Sequence, residues 1–202
     1  MSASRTQDTR SLILEAAERL ILDRGLGSAT TKEIARTAGC AEGSIYRYFD
    51  DKRSLCTELV GTRYAGFIQM MSTLPDRAGT STVRRNLEDV ATEAVGFYKA
   101  IVPIMGGALA EHDLLDAFRT YFRDEDKGPL KLIGRVAEYL RREQRMRRVN
   151  DRVSSEHAAQ AFLGACFGRA FLLRFLGDET FGETNERFAR SIVKTLLQGL
   201  EP

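Results

Sequence analysis

Apolar residues recur along this chain at helical spacing. Leu12, Ile13, Ala16, Ala17, Leu20 and Ile21 repeat at i, i+1, i+4 and i+5, which predicts a helix ending near Gly25. After a loop at 25–29, Thr30-Thr31-Lys32-Glu33 has the form of a capping box, with Thr30 as N-cap and Glu33 reaching back. The helix it opens stops almost at once, at Ala38-Gly39, and a second short helical run covers Gly43 to Phe49. Asp50-Asp51 then cap a longer helix carrying Leu55, Leu59, Val60, Phe67, Ile68 and Met71, which ends before Pro75. Residues 75–80 read as a loop. A helix from about Thr82 to Ile101 follows, with a break at Pro103 and again at Gly106-Gly107. Pro129 suits a first helical position and opens a helix to about Arg145; two more run from about Ser155 to Leu176 and from about Thr184 to Leu200. No segment shows the sustained period-two alternation of a strand. The expected fold is all-α with about nine helices. Short capped helices give way to long ones near residue 60, which predicts a head at 8–60 and a larger helical domain at 61–202.

Composition narrows the function classes. At 202 residues the chain can bury a proper core without staples. Its 30 Lys+Arg and 28 Asp+Glu nearly cancel, which argues against both an acidic solvating tail and a histone-like cation. The N-terminus is polar, with no apolar stretch of the kind a signal peptide needs. The most apolar run, Ala161 to Leu176, is interrupted by Arg169 and Arg174 and is too short and charged for a bilayer, so no membrane association is expected. Cys40, Cys56 and Cys166 are far apart with no C-x₂-C partner, and His112 and His157 have no ligand-spaced neighbours. No metal and no cofactor are expected, and the location expected is a reducing cytoplasm. No P-loop, G-x-S-x-G or H-E-x-x-H motif is present to carry an enzyme.

Two short helices joined by a turn containing Gly39 have the layout of a helix-turn-helix, whose second helix enters the major groove. Many helical proteins contain such a pair, so the side chains must decide. Ile45 and Phe49, four apart, anchor one face, while Ser44, Arg47 and Tyr48 point elsewhere and Tyr46 lies at the edge. Polar-tipped residues between two apolar anchors suit a surface that meets phosphates and base edges. Gly43 is a poor helix former whose use makes sense where a backbone must approach something closely. Lys52 lies in the first turn of a helix, where the macrodipole disfavours a cation, and a phosphate bound there would explain it. The hydroxyls and N–H groups of Thr30 and Thr31 offer donors for another phosphate. Net charge does not help: residues 1–60 hold nine Lys+Arg and nine Asp+Glu.

Thr30-Thr31-Lys32-Glu33-Ile34-Ala35, then Ala38 through Phe49, then Lys52 and Leu55, together resemble the DNA-binding domain of the tetracycline-repressor (TetR) family. The resemblance covers residues from about 8 to 60; the rest is similar only in being helical and of suitable length. It implies a homodimeric regulator of transcription, usually a repressor, whose helical C-terminal domain dimerises and binds a small molecule. It also implies that Thr31, Tyr46, Tyr48 and Lys52 contact phosphates of an operator, with Gly43, Ser44 and Arg47 nearest the bases and Thr30 and Lys32 beside them. Two residues depart from the family's pattern. Ala41 stands where a serine commonly caps the recognition helix, and Glu42 where a basic residue is frequent; Glu42 would face the polyanion unless it accepts from a cytosine amino group.

Three further clusters carry expectations. The basic run Arg141, Arg142, Arg145, Arg147, Arg148 and Arg152 reads either as a solvated helix end or as a second anionic-ligand patch. Phe67, Met71, Phe97, Tyr98, Met105, Phe118, Tyr121, Tyr139 and Phe162, with Cys166 and His112, exceed what a small bundle needs. With the expected break at 103–107 they predict a cavity for an uncharged or weakly polar, partly aromatic effector. Ala161, Gly164, Ala165, Gly168 and Leu172 form a small-residue strip flanked by Phe162, Phe171 and Phe175. It can pack against Phe188, Ile192 and Leu196 of the final helix inside one subunit, or with them form a two-fold interface. The resemblance favours the interface.

Overall fold

The structure, a computed structural model, describes residues 2–124 and 128–198. Among these it has ten α-helices, two short 3₁₀ turns and no strand, so the all-α class is observed. The helices are α1 Ser2–Arg24, α2 Thr31–Ala38, α3 Glu42–Ile45, α4 Lys52–Arg63 and α5 Ala65–Thr73, followed by α6 Val83–Ala110, α7 His112–Asp124, α8 Pro129–Arg145, α9 Ser155–Leu176 and α10 Asn185–Gln198. They form two compact units. One is built from the chain up to Tyr64 together with Pro103–Arg123, the other from Ala65–Val102 and the chain from Asp124 onward. The expected end of the last helix at Leu200 lies outside the described residues.

In the first unit, the apolar stripe of α1 (Ile13, Ala17, Ile21) packs with Ile34, Ile45, Leu55 and Leu59 from the next three helices. Each such side chain, fully buried, stabilises by about 1.5–3 kcal/mol. Ile104, Ala108, Leu114 and Phe118 complete the same core, so the last two turns of α6 and α7 as far as Arg123 belong to the head. The stripe Leu114, Phe118 and Phe122, with Phe118 and Phe122 stacked at 5.8 Å, makes α7 amphipathic.

Two sequence expectations are corrected here. The helix expected from Asp51 to Leu74 is broken at Tyr64, which leaves helical geometry at φ −107° and ψ 21°. The Tyr64 hydroxyl donates to Glu18 of α1 at 3.0 Å, which ties the break to the head. The break expected at Pro103 and Gly106-Gly107 is absent: α6 runs unbroken through both. Pro103 removes one backbone donor, yet Ile101, Ile104 and Ala108 keep the buried stripe in register across it. Gly107 is a close-approach position, since a Cβ there would sit 2.3 Å from Cβ of Leu26. The unbroken stretch shared by the two units is therefore α6, not Asp51–Leu74.

In the second unit, α8 lies along α9. Val136, Tyr139 and Leu140 of α8, Ala159, Phe162, Leu163 and Cys166 of α9, and Leu87, Val90, Ala94 and Val95 of α6 are all buried, and α6 reaches the other two through Asn86 to Tyr139 and Tyr98 to Phe167. Much of the basic run is absorbed structurally. Arg142 binds Glu138 at 2.6 Å and Asp76 at 2.8 Å, and Arg141 meets Glu156 at 3.2 Å. Arg148 lies 3.3 Å from the buried Glu143 and also donates to the Ser81 carbonyl. These contacts hold residues 75–81 against the end of α8. Arg147 caps that helix at φ 57°, between hydrogen bonds from Arg147 N–H to Gln144 and from Arg148 N–H to Glu143. Helices α6 and α9 are by length and composition apolar enough to cross a membrane. However, α9 carries Arg169, 5 % exposed, held by Glu183 at 3.0 Å and stacked on Phe181 and Phe188.

Candidate nucleic-acid interface

The expected helix-turn-helix layout is formed by α2, a tight turn and α3. Thr30 caps α2 by accepting from the Glu33 N–H at 3.2 Å. Glu33 does not reach back as the capping box predicted; its carboxylate takes Arg36 at 2.8 Å, and that hydrogen bond holds its pKa below the usual carboxylate value. Gly39 ends α2 at φ 70°, where a Cβ is disfavoured, with bonds from its N–H to Arg36 and from the Cys40 N–H to Ala35. Ala41 precedes α3 with no side-chain cap. The helix starts one residue earlier than expected and continues past Ile45 only as hydrogen-bonded turns to Phe49.

The side chains sort as the periodicity required. Ile45 and Phe49 are buried, while Tyr46 and Arg47 are exposed and Ser44 and Tyr48 half-buried. A Cβ at Gly43 would meet nothing within 4 Å, so no contact within this chain calls for a glycine there. The Thr31 hydroxyl donates to Glu42 Oε1 at 2.8 Å, and Tyr46 Oη lies 3.5 Å from it. Glu42 is thereby oriented by its neighbours, and Thr31 must release it before donating to a phosphate. Thr30 and Lys32 are exposed beside them.

Helix α4 opens with a full capping box: Asp51 accepts from the Ser54 N–H at 2.8 Å, and Ser54 Oγ accepts from the Asp51 N–H at 3.2 Å. Burial pushes the Asp51 pKa up, but those N–H bonds and the Arg53 guanidinium outweigh it and hold it below the ordinary value. Lys52, the odd cation of that first turn, has an internal partner that the sequence did not reveal: its Nζ lies 3.4 Å from Glu111 Oε1, in the link between α6 and α7. No local spacing connects residues 59 positions apart. Arg10 is likewise committed, over the Phe49 ring at 5.5 Å and against Glu58 at 2.5 Å.

The residues expected to line an effector cavity divide between the units. In the second unit Phe67 and Phe97 stack at 4.5 Å, Phe97 meets Tyr98 at 5.3 Å, and Met71, Phe162 and Cys166 are buried. Burial raises the Tyr98 hydroxyl well above its ordinary pKa and the Cys166 thiol to about 12. Tyr139 is also there, but its hydroxyl accepts from Asn86 at 3.1 Å. In the first unit, Phe118 belongs to the head core, Tyr121 leans on Phe122 at 5.7 Å, Met105 is exposed and His112 points to solvent near Asp116. The 103–107 break that was to gather all of them does not exist. Phe167, which joins Tyr98 edge-on at 5.5 Å, was missed, although Phe167, Phe171 and Phe175 recur every four residues.

On α9, Ala161, Gly164, Phe171, Leu172 and Phe175 are exposed and Gly168 half-buried. Cβ atoms at Gly164 or Gly168 would meet nothing within 4 Å. The two glycines of the strip thus face open space, while Ala165 is half-buried and Phe162 buried within the subunit. Phe188, Ile192 and Leu196 of α10 are half-buried. Among the described residues no three His, Cys, Asp or Glu are arranged to hold a metal ion.

Comparison with known proteins gives a consistent result. Residues 13–59 match the model of the bacterial regulatory proteins of the tetR family. Over 60 residues the chain is 45 % identical to an uncharacterized HTH-type transcriptional regulator of Mycobacterium tuberculosis (strain ATCC 25618 / H37Rv), Rv1255c, covering 30 % of each protein. Over 54 residues it is 43 % identical to the HTH-type transcriptional repressor BepR of Brucella suis biovar 1, covering 27 % of this chain and 26 % of BepR. The matched region thus spans under a third of these relatives. The crystal structure of the transcriptional regulator FadR from Bacillus subtilis in complex with stearoyl-CoA superposes with a TM-score of 0.75 at 16 % identity, covering 95 % of this chain and 99 % of that one. That likeness extends the shared fold to nearly the whole chain.

Proposed function

We propose that this chain, whose residues 13–59 match the model of the bacterial regulatory proteins of the tetR family, is a homodimeric, sequence-specific DNA-binding regulator of transcription in the cytoplasm. It acts as a repressor, released from its operator by a small molecule, and catalyses no reaction. The observation that carries this reading is the surface of α3 and the turns after it. Exposed Tyr46 and Arg47 stand between buried Ile45 and Phe49, beside a Gly43 that no internal contact calls for.

In this reading Gly43 lets the backbone approach the major groove, and Arg47 and Ser44 meet base edges there. Glu42, held by Thr31, keeps one carboxylate oxygen for a cytosine amino group. Thr30, Thr31, Lys32, Tyr46, Tyr48 and Lys52 serve the flanking phosphates. Two copies join through the exposed strip of α9 with α10, which places two heads on half-sites about one helical turn apart. The effector is an uncharged, partly aromatic molecule, held in the second unit by Phe67, Phe97, Tyr98 and Phe162, with the Tyr98 hydroxyl and the Cys166 thiol as its polar partners. The test uses a duplex enriched by the protein from a random-sequence pool, with a scrambled duplex as reference. Arg47→Ala should lose about 1–3 kcal/mol on the enriched duplex only. Lys52→Ala should weaken both duplexes alike, and lower the salt dependence. If no duplex is enriched over the pool, the function is wrong.

A further inference from the structure

Lys52 is held by a carboxylate of its own chain at the place where the proposed function puts a DNA phosphate. From this we infer that Glu111 is an internal competitor for Lys52 that sets how tightly the head grips any duplex. The inference rests on the reading of Lys52 as a phosphate contact.

The geometry commits Lys52 to Glu111. The other carboxylate beside it, Asp51, is occupied by Arg53 at 2.5 Å and by the Ser54 N–H at 2.8 Å. Glu111 Oε1 lies 3.4 Å from Lys52 Nζ, and the two side chains are 44 % and 24 % exposed, so a phosphate can reach the pair without unfolding anything. Lys52 stands at the positive N-terminal end of α4, an unfavourable place for a cation. Glu111 follows directly after the C-terminal end of α6, where the helix presents its negative pole. Glu111 is also fixed by the backbone. Its N–H donates to Ala108 at 3.2 Å, and its carbonyl accepts from Leu115 at 3.0 Å to start α7. Ala108 and Leu114 on either side are buried in the head core. The Glu111 backbone is therefore fixed in the head, which keeps its carboxylate within reach of Lys52.

A phosphate oxygen and a carboxylate oxygen are the same kind of acceptor for an ammonium group. When DNA binds, its phosphate must either displace Glu111 or sit beside it, and in both cases the carboxylate opposes it. The opposition does not depend on base sequence. It also means that Lys52 sheds less mobile counterion on binding, because part of its charge is already balanced from within.

The experiment compares the full-length wild type with Glu111→Gln, Lys52→Ala and the double variant, on the enriched and scrambled duplexes across a salt series. Glu111→Gln should tighten both duplexes by about two- to five-fold per head, the range of an exposed ion pair. It should also steepen the dependence of log K on log salt by up to about 0.9 per head. On the Lys52→Ala background the same substitution should tighten binding much less, since only the screened repulsion between carboxylate and phosphate is left to remove. Glu111→Asp keeps the charge but withdraws the carboxylate by one methylene, so it should tighten binding in the same direction; it serves if the glutamine variant fails to fold. Unchanged affinity and slope in Glu111→Gln overturn the inference, and so does equal tightening with and without Lys52. In those cases the wild type still binds its duplex, whereas absence of all duplex binding overturns the DNA-binding reading as well.

Discussion

Two neighbouring glycines on α6 should respond to the same substitution with opposite signs. Gly106 is exposed and a Cβ there meets nothing within 4 Å. Alanine removes unfolded-state freedom and improves helix propensity, so Gly106→Ala should stabilise by about 0.4–1 kcal/mol. At Gly107 the added Cβ would lie 2.3 Å from Cβ, 2.6 Å from Cδ2 and 3.0 Å from Cγ of Leu26. Leu26 is 2 % exposed in the 3₁₀ turn Leu26–Ser28, so its Cβ cannot rotate away and backbone must move. Overpacking of this kind costs roughly 1–3 kcal/mol or more, against a propensity gain of about 1 kcal/mol. Because the propensity gain is common to both, Gly107→Ala should fall below Gly106→Ala by the overpacking cost, about 1–3 kcal/mol. Urea midpoints at one fixed protein concentration measure the gap. Leu26→Ala removes Cγ and Cδ2 but leaves the closest contact, so in a double-mutant cycle it should offset only part of the Gly107→Ala loss. Equal stability of the two single variants would refute the close approach, and with it the reason a glycine pair can sit inside a continuous helix.

Other outcomes follow from the same contacts. Gly168→Leu has open space within its own subunit, so it should harm only a partner's approach; sedimentation should show dissociation, and unchanged mass removes Gly168 from the interface. A thermal-shift and DNA-release screen with apolar, cationic and anionic compounds should find uncharged aromatic ones active, and Tyr98→Ala should lose that response; activity of anionic compounds alone refutes the assignment. Burial raises the Cys56 and Cys166 thiols and the Tyr139 hydroxyl to about 12. Because the unfolded chain releases these protons first, stability should be full below the ordinary thiol value near 9 and fall as pH rises toward 12. A urea midpoint that stays flat between neutral pH and about pH 10.5 contradicts this linkage.

The head was legible because its information is local. A cap at Thr30, a glycine where the backbone turns left-handed, and Ile45 and Phe49 four apart are each readable within a few residues. What failed was the inference from proline and glycine to a break. Pro103 costs one hydrogen bond, and the buried stripe on both sides of it holds the helix straight through. Gly107 answers to Leu26, which is 81 positions away and invisible to any periodicity. The aromatic set split for the same reason: residues grouped around an expected gap have no reason to meet once the gap is filled by helix. Lys52 was recognised as a misplaced cation, but its partner Glu111 could be found only in three dimensions. The strip on α9 was legible as a pattern, yet sequence could not say which way it faced.

Glu143 shows how far the basic run has been turned inward. It is wholly buried, and its Oε1 accepts from the Gly79 N–H at 3.2 Å while Arg148 Nη1 stands 3.3 Å from Oε2 without hydrogen-bond alignment. On the same helix Tyr139 Oη accepts from Asn86 of α6 at 3.1 Å. One carboxylate on α8 thus meets both Gly79 of the preceding segment and Arg148 just past the helix end. Removing it leaves the Gly79 N–H without its acceptor and the partly exposed Arg148 without its carboxylate. Glu143→Ala should cost about 1–3 kcal/mol, the range for removing the partner of a hydrogen-bonded group, and Glu143→Gln should cost less because it keeps an acceptor for the Gly79 N–H. Glu138→Ala breaks a half-exposed pair with Arg142 and should cost only about 0–1 kcal/mol. Denaturant unfolding of the three variants ranks them. If Glu143→Ala is no worse than Glu138→Ala, the buried carboxylate is not what holds the 75–81 loop to α8, and the arginines of this run are free for a ligand after all.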